Sequence, residues 1–255
     1  MNAKYKTLIK DTAVFAIGSL GSKVILFFLV PLYTNFLTTA EYGTADLVTT
    51  FTTLLFPFTA LSIEKAVIRF GMKTDERKED VLCTSFVVLL FSIVFTITLI
   101  PIFPLYNPIA PWKYYLAVLV ILSNITEVER AYLKVKNRNK AYSIIGIVQT
   151  AVLAGTNVLM LTVLHTGVQG YLVSNIAGLC SCAVISVFAS GIHKDIWNGR
   201  FNSLLLKRMV AFSAPLVFSG ISWWVMHSSD KVMIEWLVGA SALGRIQQRQ
   251  RYRPL

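Results

Sequence analysis

The stretch Thr12–Leu37, TAVFAIGSLGSKVILFFLVPLYTNFL, decides the class of this chain. It is long enough to cross a bilayer, which takes roughly 20 residues of helix. One charge, Lys23, stands near its middle. At about 1.5 Å of rise per residue, Lys23 lies roughly 17 Å from Thr12, close to the bilayer midplane. A cation there costs at least about 2.5–3.5 kcal/mol on insertion scales, so it turns toward other helices or a water-filled cavity. Two readings stay open. Lys23 is a packed lysine paired with a carbonyl or carboxylate, or it meets an anionic cargo.

Composition extends the reading outward. The chain has 255 residues, 55% hydrophobic and 15% charged, with a mean hydropathy of +0.62. A soluble domain would be about a quarter charged. Further apolar segments of spanning length follow at about Thr44–Phe70, Val81–Leu105, Trp112–Leu133, Ala141–His165, Val168–Gly191 and about Met209–Val238. The expected fold class is an all-α polytopic membrane protein with about seven transmembrane helices. The net charge of +11 does not point to nucleic acid, because the lysines and arginines cluster between the spans. Cys83, Cys180 and Cys182 lie inside apolar runs and read as small packing residues, the last two on opposite faces of a helix. The basic N-terminus precedes a run too long for a secretory signal and without an A-x-A site, so the first span is expected to stay uncleaved.

The cations alternate. Lys4, Lys6 and Lys10 precede span one, and the first connection has none. Lys65, Arg69, Lys73, Arg77 and Lys78 surround the second connection, and the third has Lys113. Arg130, Lys134, Lys136, Arg138 and Lys140 surround the fourth, and the fifth has none. Lys194, Arg200, Lys207 and Arg208 mark the sixth. The positive-inside rule then places the N-terminus and the even connections in the cytoplasm. This is opposite to the usual seven-helix receptor, and the short outer connections offer no ligand-binding surface. The tail RIQQRQRYRPL, residues 245–255, breaks the alternation.

No G-x-x-x-x-G-K-[ST], strand-borne G-x-G-x-x-G, HExxH or Cys/His ligand spacing occurs. No nucleotide, cofactor, metal or enzymatic chemistry is expected. What remains is a sparse set of ionisable residues: Lys23, then Glu64, Lys65 and Arg69, then Glu127 and Arg130, then Asp230, Lys231 and Glu235. Lys65, Arg130, Lys231 and Glu235 sit near span ends and read as snorkelling residues. The planar guanidinium of Arg69 suits a phosphate. Glu127 and Arg130 are one turn apart and positioned to pair. Glu64 or Glu127 could carry a coupling proton or hold a cation. His227 reads as a packed histidine, and Asn124-Ile-Thr126 lies inside a span and is no glycosylation site. Gly18 with Ser22, and Ser174, Gly178 and Ser181, read as close-packing positions. Pro31, Pro57 and Pro215 are candidate kinks beside a cavity. Cations facing the membrane interior without an ATP site suggest a secondary transporter of an anionic or amphiphilic cargo.

Gly21–Thr34 (GSKVILFFLVPLYT), Leu37–Gly43 (LTTAEYG) and Asp46-Leu47 resemble the opening of Wzx-type polysaccharide and O-antigen flippases. These belong to the multidrug/oligosaccharidyl-lipid/polysaccharide exporter superfamily. The similarity continues through Ile63–Phe70 (IEKAVIRF), Glu129–Lys134 (ERAYLK), Lys140–Tyr142, Gly167–Leu172 (GVQGYL), Phe212–Leu216 (FSAPL) and Ser229–Ile234 (SDKVMI). The resemblance implies two facing helical lobes in a MATE-like exporter fold. Residues 1–191 would then be the N-terminal six-helix lobe, 192–208 a cytoplasmic connection, 209–244 the first helix of the second lobe and 245–255 an aberrant basic tail. It implies a chain truncated or frameshifted after about residue 244, inactive by itself. It also implies ion-gradient-driven translocation of undecaprenyl-pyrophosphate-linked oligosaccharide repeat units to the outer leaflet of a bacterial inner membrane. The implied partners are that lipid-linked oligosaccharide, membrane lipids, a polysaccharide polymerase and a chain-length regulator, with no nucleic acid or nucleotide. By resemblance, Lys23 and Arg69 contact the anion, Glu64 and Asp230 serve coupling or helix pairing, and Arg130 helps hold the cytoplasmic gate. The alternatives are a multidrug or lipid II exporter of the same superfamily, and a non-transporting membrane scaffold.

Overall fold

The computed structural model describes residues 3–73, 76–102 and 109–238. Among them run α1 (Ala3–Phe36), α2 (Thr39–Thr59), α3 (Ile63–Gly71), α4 (Lys78–Leu99), α5 (Lys113–Val135), α6 (Asn139–Val158), α7 (Gly167–Ser190), α8 (Ile192–Asn198) and α9 (Ser203–Val238). A short 3-10 turn precedes α5, and a π-helical turn, Leu159–Val163, extends α6. By length and apolar character α4, α6 with its extension, α7 and the Ser203–Met226 part of α9 each reach across a membrane, and α2 with α3 makes a further, bent span. The expected first and fourth spans are α1, apolar over Leu20–Phe36, and α5, whose Glu127, Glu129, Arg130 and Lys134 dilute its apolar character. The surface is inside-out: Phe28, Phe188 and Phe218 expose 71%, 75% and 75% of their area, as lipid-facing rings do. The fold is an all-α polytopic membrane protein.

Local sequence explains the boundaries. Thr38 caps α2, its Oγ1 accepting from Glu41 N at 3.2 Å while Glu41 Oε2 accepts from Thr38 N at 2.9 Å. This reciprocal box lies inside the LTTAEYG stretch and satisfies two orphan helix-end donors. At the far end of α5, Arg138 N donates to Leu133 O and Asn137 N to Lys134 O, with Asn137 left-handed at φ 54°. Asparagine tolerates that conformation, so the α5–α6 turn is tight.

The second span departs from expectation. It is not one helix over Thr44–Phe70 but α2 and α3, bent by 53°. The same end-motif makes the break: Ser62 N donates to Pro57 O at 2.9 Å and Leu61 N to Phe58 O at 3.4 Å. Leu61 and Ser62 sit at φ 52° and 50°. Neither residue favours the left-handed region, which costs an L-residue roughly 1–2 kcal/mol. The Ser62 hydroxyl is also buried without a partner. Ser62→Gly is therefore expected to raise unfolding stability in detergent by about 1 kcal/mol, read by thermal or denaturant unfolding. An unchanged midpoint would show the bend to be unstrained.

α5 is the hub, packed against α2, α3, α4, α6 and α7. One core joins α3, α4, α5, α8 and α9 around Ile63, Leu82, Tyr132 and Met209. A second joins α1, α2, α5 and α7 around Tyr33, Val48, Leu116 and Leu172. Between them Asn124, 2% exposed, donates through Nδ2 to Thr59 Oγ1 of α2 and Ser92 Oγ of α4, each at 2.8 Å. The glycosylation-like triplet thus holds a packing asparagine. Interhelical hydrogen bonds in membranes average about 0.6 kcal/mol, so Asn124→Ala is expected to lose about 1–2 kcal/mol once both are gone, measured by unfolding of the detergent-solubilised chain. Of the small residues, Gly178 and Ser22 meet a neighbouring helix, while the Ser174 and Ser181 hydroxyls bond within α7. A Cβ on Gly178 would meet Leu153 Cβ at 3.1 Å and Gln149 O at 3.3 Å, and Ser22 Oγ donates to Gly146 O at 3.4 Å. Cys182 is buried and Cys180 exposed, and all three cysteines are free thiols.

Candidate cargo cleft and charged end

α1 presents Lys23 with Leu26, Phe27, Val30 and Tyr33 to a cleft of about 290 Å³ completed by Leu153 of α6 and Tyr171 and Asn175 of α7. Lys23 is exposed and makes no ion pair among the described residues. It is therefore not the packed, carboxylate-paired lysine of the first reading. Tyr33 and Tyr171 meet edge to face at 5.2 Å, and Tyr33 stacks on Tyr42 at 5.9 Å. The aromatic floor keeps its geometry because these rings belong to the second core. The cleft therefore pairs one exposed cation with buried amphipathic rings, a combination suited to an anion with an attached polar, ring-bearing group.

Arg69 is elsewhere. Its guanidinium lies 4.0 Å over the Phe212 ring of α9, a cation–π contact, and it is not part of the Lys23 cleft. One turn earlier, Lys65 lines a second cleft of about 440 Å³ between α3 and α9, with Ser219, Gly220, Ser222, Trp223 and Met226. The same helix α9 is fixed to α2 by Trp224 Nε1 donating to Thr50 O at 3.0 Å. Lys65, read from sequence as a snorkelling residue, thus faces a cleft, while Arg69 covers a ring. Glu64 is half-buried on α3. Glu127 and Arg130 pair at 3.6 Å, and Arg130 also donates to Gln149 Oε1 of α6. Arg130 is thus a tie between α5 and α6. Asp230 belongs to α9, but its side chain lies outside the described residues, as do those of His227, Lys231 and Glu235.

The basic connections converge at one end of the bundle. Lys78 Nζ donates to Val135 O at 3.1 Å, Arg138 to Ala189 O, and Arg208 pairs with Glu76. Helix α8 is strapped across this end: Asp195 accepts from the Tyr132 hydroxyl at 3.0 Å and pairs with Lys136. Beyond it Arg200 N donates to Asp80 Oδ1 at 2.8 Å, and Gly199 lies so close to Glu79 O that no Cβ would fit. Sequence reasoning treated 192–208 as a connection and missed this strap. The available signal was Asp195, the one acid in an otherwise basic stretch. It also passed over Glu129, whose neighbours Glu127 and Arg130 drew attention, and the Tyr33–Tyr171 floor, which brings together residues far apart in the chain.

A family model described as "polysaccharide biosynthesis protein" matches residues 8–252. No curated protein and no solved structure matches the chain.

Proposed function

The chain belongs to the polysaccharide biosynthesis protein family, and from that premise we propose that it is a Wzx-type flippase lobe. Its cargo is an undecaprenyl-pyrophosphate-linked oligosaccharide repeat unit, moved from the cytoplasmic to the outer leaflet of a bacterial inner membrane on an ion gradient. The observation that carries this reading is the cleft: Lys23 of α1, unpaired among the described residues, beside Tyr33, Tyr171 and Asn175. A pyrophosphate matches the cation, and sugar faces match the aromatic rings. Residues 1–191 form the first lobe, and α9 begins the second. The N-terminus and the strapped end with its basic connections face the cytoplasm, as the positive-inside rule requires. Arg69 contacts the anion when α9 moves off its guanidinium. Glu64, Glu127 and Asp230 serve ion coupling or helix pairing, and Arg130 holds the gate.

Deletion of the gene in its own host tests the reading. The expected result is lipid-linked repeat units accumulating on the inner leaflet, with loss of exported polymer. Unchanged polymer with hypersensitivity to drugs would replace the reading by a multidrug exporter of the same superfamily.

A further inference from the structure

Glu129 is the least exposed acidic or basic residue described on α5 at 2%, and its Oε2 has no hydrogen-bond partner. No ion pair among the described residues reaches it. It lies about 9 Å along the helix from Val135 at roughly 1.5 Å per residue, one to two turns inside the strapped end. The charged and titratable side chains on the neighbouring elements are engaged elsewhere. On α5 itself, Glu127 holds Arg130, Lys136 holds Asp195, and Lys134 lies over the Tyr142 ring of α6 at 4.8 Å. On α2, Glu41 caps its own helix and Asp46 is buried far toward the other end. On α3, Lys65 faces the cleft with α9, Arg69 covers Phe212, and Glu64 is a half-buried acid. On α4, Lys78 and Asp80 are bonded to Val135 O and Arg200 N, Glu79 faces Arg77, and Cys83 is half-buried. On α7, Cys182 sits 4.0 Å from Ser186 Oγ, and Cys180 is exposed. Among the described residues no cation is paired with Glu129, Lys140 of α6 being exposed.

An ionised carboxylate in that position would carry the whole desolvation cost with nothing to offset it. A proton removes the charge and supplies a donor. Tyr132, one turn on, is the residue whose hydroxyl binds Asp195 of the strap. Lifting α8 would therefore open the end of the lobe toward Glu129.

We propose that Glu129 is a proton-binding site of the lobe: its carboxyl carries a proton while the α8 strap is docked and gives it up to water when the strap lifts. The proposal deepens the flippase reading by naming where a driving proton binds. The step balances simply: the proton leaves the carboxyl oxygen for water, and the carboxylate remains.

Infrared spectroscopy of the chain in lipid nanodiscs tests it without needing transport. A protonated-carboxyl C=O band is expected at neutral pH in the wild type, in Glu127→Gln and in Glu64→Gln, and it is expected to vanish in Glu129→Gln. In Asp195→Asn, which weakens the strap, the band is expected to disappear at lower pH than in the wild type. Labelling of the wild type with dicyclohexylcarbodiimide needs no variant. The acid proton passes to a carbodiimide nitrogen, the carboxyl oxygen bonds to its central carbon, and rearrangement leaves a stable N-acylurea, expected by mass spectrometry on the peptide carrying Glu129. A wild type with neither band nor label at Glu129, or a band that survives Glu129→Gln, overturns the site. An Asp195→Asn titration identical to wild type overturns the link to the strap. A confirmed site in a chain whose deletion leaves polysaccharide export unchanged would stand while the flippase reading falls.

Discussion

Asp195→Ala is expected to destabilise the helix bundle by about 2–3 kcal/mol, the cost of stranding hydrogen-bonding groups that are mostly withdrawn from water. The carboxylate holds two partners on α5, the Tyr132 hydroxyl and Lys136. The side chains of Lys136 and Asp195 are 20% and 14% exposed, so solvent screens the pair only in part. Removing the carboxylate leaves Tyr132, whose ring is fully buried, with an unmade hydrogen bond and Lys136 with an unmatched charge. Asp195→Asn keeps an acceptor for Tyr132 and should cost about half as much. Exchanging the charges, Asp195→Lys with Lys136→Asp, should recover part of the ion-pair energy but not the tyrosine bond. Chemical unfolding in detergent measures all three, with cysteine accessibility at Cys83, close to Gly199, as a local readout of strap release. An Asp195→Ala midpoint within error of wild type would mean that α8 is held by Ile192 and its apolar contacts alone.

The second large effect belongs to Lys23. Lys23→Glu is expected to slow appearance of lipid-linked repeat units at the outer leaflet at least tenfold, which corresponds to about 1.4 kcal/mol of lost favourable interaction. Reversal does more than removal, because it sets a like charge against the pyrophosphate. Lys23→Ala should fall between, and Lys23→Arg should retain most of the rate, since it keeps a cation on a flexible stem. Fold is not at stake: Lys23 is exposed and pairs with nothing among the described residues, so unfolding midpoints should stay close to wild type. That separation makes the experiment decisive. A wild-type rate in Lys23→Glu would remove the cleft from the transport path.

Much of the architecture was legible in the chain because apolar run length and cation placement are local properties. The segments beginning at Thr12, Val81, Ala141, Val168 and Met209 each overlap a helix found there, and all but the last run past its end. The break in the second span was not legible. Nothing in Leu61-Ser62 marks a left-handed turn, since both residues disfavour it; the surrounding packing imposes it. The site was legible in part. Lys23 stood out because a charge in a long apolar run is conspicuous. Sequence set Arg69 apart as a phosphate contact and Lys65 as a snorkelling residue, but not that Phe212 of α9 lies over Arg69 while Lys65 lines a cleft.

The amino-acid sequence by itself determined that this is an all-helical membrane protein, roughly where most of its apolar helices lie, and which few charges would have to be accounted for. The cost of exposing backbone and charge to lipid acts on each segment separately. The Glu127–Arg130 pair is local and was expected from spacing, but only tertiary structure decided which charged groups find partners on other helices and which are left over. Arg130 finds Gln149, Asp195 finds Tyr132 and Lys136, and Glu129 finds nothing. Pairing depends on helices distant in the chain coming side by side, and no local pattern encodes that distance.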